Sequence, residues 1–103
     1  MANFIRVARV AEINDGQLKT ISVGDKRIVL ANVGGEFFAL DDACAHAGCS
    51  LGNEGILEGE VITCGCHGAQ FEVKSGKALT LPATTNVATY PVRVENNDIY
   101  VGI

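Results

Sequence analysis

Leu18 to Leu40 reads LKTISVGDKRIVLANVGGEFFAL, and its punctuation decides the fold class. Leu18–Val23 is rich in β-branched residues, and Lys26–Val33 follows it after Gly24-Asp25. Two such runs joined by a two-residue glycine-containing step predict a hairpin, because glycine accepts the backbone conformations that tight turns require. Gly34-Gly35 then turns the chain into a third run, Glu36–Leu40.

The same grammar extends outward. Phe4–Ala8 is a short apolar run, and Val10–Asn14 has room for a single helical turn. Beyond the central block come Gly55–Thr63 and Gln70–Val73, with Ser75-Gly76 separating the latter from Ala78–Leu81. Asn86–Val94 alternates most cleanly at its end, through Val92, Arg93, Val94 and Glu95, and Asn96-Asn97 turns it back into Asp98–Val101. No window supports a helix of three turns. Short strands at roughly eight-to-twelve-residue spacing, separated by Gly or Asn turns, predict an all-β sandwich or barrel.

The chain has 103 residues, which predicts one domain over 1–103. Its 48% hydrophobic and 19% charged residues describe an ordinary globular balance and argue against disorder. The net charge of −4 disfavours nucleic acid and anionic membrane surfaces, both of which need a cationic footprint. No apolar run approaches the roughly 20 residues of a membrane span. Met1-Ala2-Asn3-Phe4-Ile5-Arg6 lacks the basic start and apolar stretch of a secretory leader, so the expectation is a soluble, cytoplasmic protein.

The chemistry is concentrated in two short segments. All four cysteines and both histidines fall in Cys44-Ala-His46-Ala-Gly-Cys49 and Cys64-Gly-Cys66-His67-Gly68. In an intracellular chain such clusters point to metal ligation rather than to a disulfide framework. Written as C-x-H, seventeen residues, then C-x-x-H, each segment offers one thiolate and one imidazole. Four such ligands suit a two-iron cluster, and they equally make a set for structural zinc. Both segments lie between predicted strands and are crowded with Gly and Ala, which leave room for a bulky group.

The motif resembles the Rieske family. C-x-H and C-x-x-H, the latter continuing His67-Gly68-Ala69-Gln70-Phe71, are similar to its two ligand loops. The ending Tyr90-Pro91-Val92-Arg93-Val94-Glu95-Asn96-Asn97-Asp98-Ile99-Tyr100-Val101 is similar to that of soluble Rieske ferredoxins. The resemblance implies a β-sandwich-like domain with an inserted cluster-binding subdomain at about 41–73. It implies one [2Fe-2S] cluster, with Cys44 and Cys64 on the inner iron and His46 and His67 on the outer. It also implies a monomeric one-electron carrier between a flavin-dependent reductase and a terminal oxygenase. The rivals are the small Rieske subunit of an assimilatory nitrite reductase and a structural zinc module, which has no use for the resemblance outside the motif.

Two details cut in opposite directions. Cys49 and Cys66 occupy the positions that form a loop-clamping disulfide in respiratory Rieske proteins, whereas a reducing cytosol would leave both as thiols. Ala69 and Phe71 replace the Ser and Tyr whose hydroxyls, in that branch, donate to cluster sulfur and ligand cysteine. Losing those donors predicts a low potential. Asp41, Asp42, Glu54, Glu58 and Glu60 flank the ligand segments, either as a docking face for a basic partner or as a solvated surface. Pro82 falls where the family often carries a proline-bearing loop over the cluster, and equally suits an ordinary loop, while Phe37, Phe38, Phe71 and Tyr90 read as packing residues.

Overall fold

The hairpin predicted from Leu18–Val33 forms with the expected ends. In the computed structural model, which describes residues 3–42, 55–64, 70–79 and 87–103, β2 (Leu18–Val23) pairs with β3 (Lys26–Val33) from Leu18↔Ala31 to Val23↔Lys26. Gly24 supplies the positive φ, +59°, at the first turn position. At the next turn Gly34 and Gly35 both lie at positive φ, and β4 (Glu36–Asp41) returns along β3. Asn96 and Asn97 do the same between β9 (Val92–Glu95) and β10 (Asp98–Gly102). Asn is one of the few side chains that tolerates this region.

Among the described residues, ten strands build three antiparallel sheets. The first holds β1 (Phe4–Arg9), β10 and β9 in that order; the second holds β2, β3, β4 and β8 (Thr89–Tyr90). The third holds β5 (Ile56–Glu58), β6 (Val61–Thr63) and β7 (Gln70–Glu72), all between β4 and β8 in the chain. The all-β expectation therefore holds. Helical structure among the described residues is one 3-10 turn at Val10–Glu12, so none is long and apolar enough to cross a membrane.

Three predicted runs differ in detail. Gly55–Thr63 is two strands, because Gly59 adopts φ +60° and folds Glu58 onto Val61. Asn86–Val94 contains two strands that serve different sheets. Pro91 separates them, since it has no N–H to continue a ladder, and its carbonyl accepts from Gly102 N at 2.9 Å. Ala78–Leu81 is represented by a bridge from Ala78 to Phe71, and residues from Thr80 to Asn86, including Pro82, lie outside the described residues.

The middle sheet is buried on both faces. Ile28 and Leu30 of β3 join Ala8, Ile99 and Val101 of the first sheet in one core. Val29 and Ala31, the alternate positions, join Ile62, Phe71 and Cys64 in the second. Strand period two delivers successive side chains to opposite faces, so an unbroken apolar run such as Ile28–Ala31 fits only a strand covered on both sides.

Candidate metal centre

Cys64 follows directly on β6 and is 1% exposed, packed in the second core with Ile62, Phe71 and Val73. It forms no disulfide. It is the one expected ligand among the described residues; Cys44, His46 and His67 lie outside them, as do Cys49 and Cys66.

The described frame shows where the chain departs toward those residues. Ile56, Thr63 and Gln70 stand opposite one another across β5, β6 and β7 at one end of the third sheet. Gln70 Nε2 donates to Thr63 Oγ1 at 3.3 Å, and Leu79 N donates to Gln70 O at 2.8 Å. The segment with Cys64, Cys66 and His67 leaves at Thr63 and re-enters at Gln70. The segment with Cys44, His46 and Cys49 re-enters at Ile56. Both ligand segments are thus attached to the same end of one sheet.

The other attachment of the first ligand segment is the end of β4, and it is fastened on both faces. Asp41 N donates to Ala88 O at 2.9 Å, and its Oδ1 accepts from the Tyr90 hydroxyl at 2.5 Å. Asp42 points the other way. Its N donates to Arg27 O at 3.0 Å, its Oδ1 accepts from Thr20 Oγ1 at 3.2 Å, and its Oδ2 lies 3.3 Å from Arg27 Nη2. The Asp42 side chain is 0% exposed, whereas that of Arg27 is 58% exposed.

These contacts revise the reading of the acidic residues. Asp41 and Asp42 are engaged within the fold, and Glu60 pairs with Lys74 at 2.6 Å. Glu58 is exposed, and Glu54 lies outside the described residues. Sequence reasoning missed Thr20 and Arg27 altogether, since both lie on strands distant in sequence from the motif. The doublet Asp41-Asp42 just ahead of Cys44 was the available signal.

The Rieske [2Fe-2S] domain family matches residues 3–91. The chain belongs to that family. It is 43% identical over 102 residues to the 3-phenylpropionate/cinnamic acid dioxygenase ferredoxin subunit of Escherichia coli (strain K12), covering 98% of this chain and 94% of the relative. The Shigella flexneri serotype 5b protein of the same name matches at the same identity and coverage. Among solved structures, the ferredoxin of carbazole 1,9a-dioxygenase from Nocardioides aromaticivorans IC177 superimposes with a TM-score of 0.91 at 26% identity, covering 97% of each chain. The Sphingomonas yanoikuyae B1 ferredoxin gives 0.91 at 29%, covering 98% and 99%.

As a Rieske ferredoxin the chain is an electron carrier with one [2Fe-2S] cluster. The described part of the site fits that group. Cys64 presents an unbridged, water-shielded sulfur at the sheet end from which both ligand segments depart. A soft thiolate donor of this kind suits iron–sulfur ligation.

Proposed function

We propose that this Rieske ferredoxin takes single electrons from a flavin-dependent reductase and passes them to the terminal oxygenase of an aromatic-ring dioxygenase system. The observation that carries this is the end-to-end match to ferredoxin subunits of a dioxygenase, at 43% identity over 98% of the chain. A carbazole dioxygenase ferredoxin solved in complex with its oxygenase shares the fold at a TM-score of 0.90 and 30% identity. The carrier is read as a cytoplasmic monomer whose cluster-binding unit spans about 41–73.

Cys44 and Cys64 hold the inner iron through sulfur, and His46 and His67 hold the outer iron toward the surface. Cys49 and Cys66 form a bridge between the two ligand segments. The cluster supplies the one-electron couple. Two iron(III), two sulfides and two thiolates sum to zero, whereas four thiolates would give a dianion. Adding an electron to a neutral centre costs less, in line with Rieske potentials of roughly −150 to +300 mV against about −400 mV for plant-type ferredoxins.

The surroundings of Cys64 support a potential low in that range. Phe71 is fully buried in the core that contains Cys64 and has no hydroxyl to donate. Donors to sulfur stabilise the more negative reduced state, so their loss lowers the potential.

The test is the EPR spectrum of the dithionite-reduced protein. A Rieske centre gives a lower average g than an all-cysteine [2Fe-2S] centre. A silent protein containing stoichiometric zinc would refute the reading.

A further inference from the structure

We propose that the Arg27–Asp42 ion pair is a positioning and potential-setting device for the cluster, with Asp42 opposing reduction and Arg27 favouring it. This rests on the ligand assignment proposed above, in which Cys44 follows Asp42 by two residues. Two peptide steps span at most about 7 Å, so the base of the first ligand segment and the carboxylate are close by covalent geometry alone.

Stability does not explain the pair. A buried carboxylate bears a large desolvation cost, and its partner Arg27 stays exposed to screening solvent, so the pair is a weak source of net stability. Here three groups from β2 and β3 are devoted to one side chain and its own N–H: the Thr20 hydroxyl, the Arg27 guanidinium and the Arg27 carbonyl. They fix the position of Asp42, the last described residue before Cys44.

The pair is electrically lopsided. Asp42 is shut off from solvent, whereas the Arg27 side chain is more than half exposed. Water and salt screen an exposed charge far more than a buried one. The cluster therefore feels more of the carboxylate than of the guanidinium, and the pair as a whole disfavours an added electron.

The experiment is a spectroelectrochemical titration near neutral pH of the cluster-loaded wild type and of Asp42→Asn, Arg27→Gln and Arg27→Lys, each checked for the Rieske EPR signal. Asp42→Asn is expected to favour reduction about tenfold, which is about 59 mV for a one-electron couple. Arg27→Gln is expected to disfavour it by about two- to threefold, with the effect shrinking as salt is raised. Arg27→Lys retains the charge and stays near wild type.

A purely structural role would move both neutralising variants the same way. Shifts of one sign, or no shift in either, overturn the inference while leaving the cluster assignment intact. If Asp42→Asn does not fold, the contrast between Arg27→Gln and Arg27→Lys decides: equal potentials overturn the inference. A wild type without the Rieske signal overturns the assignment and the inference together.

Discussion

The hydroxyl of Tyr90 on β8 donates to Asp41 Oδ1 on β4, joining two strands across 49 positions of sequence. The Lys26 ammonium lies 5.7 Å from the same ring. Burial, then the hydrogen bond to Asp41 and the charge of its carboxylate, push the phenol from its ordinary 10.0 up to about 12. A raised acid holds its proton longer in the folded state than in the unfolded one. The stabilisation is therefore complete below about pH 10 and is lost as pH rises to about 12. Tyr90→Phe should lower unfolding stability by about 1–2 kcal/mol at neutral pH. It should also flatten the stability profile between those pH values. Urea titrations across that range check both. An unchanged alkaline loss in the variant would assign it to another group.

Gly76 cannot carry a side chain. It sits at φ +73°, and a Cβ placed on it would lie 2.1 Å from the carbonyl oxygen of Val87, with Gly76 O accepting from Val87 N at 2.8 Å. Gly76→Ala must displace main chain, and a loss of more than about 2 kcal/mol is expected. Gly59→Ala, at φ +60° with nothing within 4 Å of the new atom, isolates the backbone strain and should cost about 1 kcal/mol. Similar denaturation midpoints for the two variants would contradict the clash.

Phe71 offers a direct test of the low-potential reading. It is fully buried in the core that holds Cys64. Phe71→Tyr adds the hydroxyl that the respiratory branch carries there, and one added donor to sulfur should raise the midpoint by tens of mV, on the order of one hydrogen bond. Phe71→Ala should instead cost about 3–5 kcal/mol through the cavity it leaves. A Phe71→Tyr protein with wild-type potential would show that hydroxyls at this position do not reach the cluster.

Replacing the cysteines one at a time should separate the proposed ligands from the proposed bridge. Cys64→Ser should lose iron and acid-labile sulfide, since a hydroxyl is a poor substitute for a thiolate. Cys49→Ser should retain the cluster but lose it faster on dilution with chelator, because it removes only the proposed bridge to Cys66. Iron analysis and the decay of visible absorbance measure these outcomes. Two alkylatable thiols in the oxidised wild type, beyond the cluster ligands, would refute the bridge.

The strands were legible because their causes are local. Period-two runs and glycine or asparagine turns specify Leu18–Val23, Lys26–Val33 and Asp98–Val101 to within a residue of the structure. The break of Gly55–Thr63 at Gly59 was less legible, as one glycine in a mixed run does not announce a turn. The exchange of sheets at Pro91 was invisible for a different reason. Proline forbids a ladder bond, but which sheet each flanking strand joins depends on partners far away in sequence.

The ligand motif divides in the same way. The spacing of Cys and His, together with the likeness of the Tyr90–Val101 ending, pointed to the family and its cofactor, because a Rieske cluster takes two thiolates and two imidazoles where other [2Fe-2S] clusters take four thiolates. Tertiary structure alone decided what grips those segments. Asp41 and Asp42 read identically as surface acids in the sequence, yet at the end of β4 one reaches Tyr90 and the other is a buried carboxylate paired with the exposed Arg27. Burial depends on the elements packed on each face, and a linear sequence does not list them.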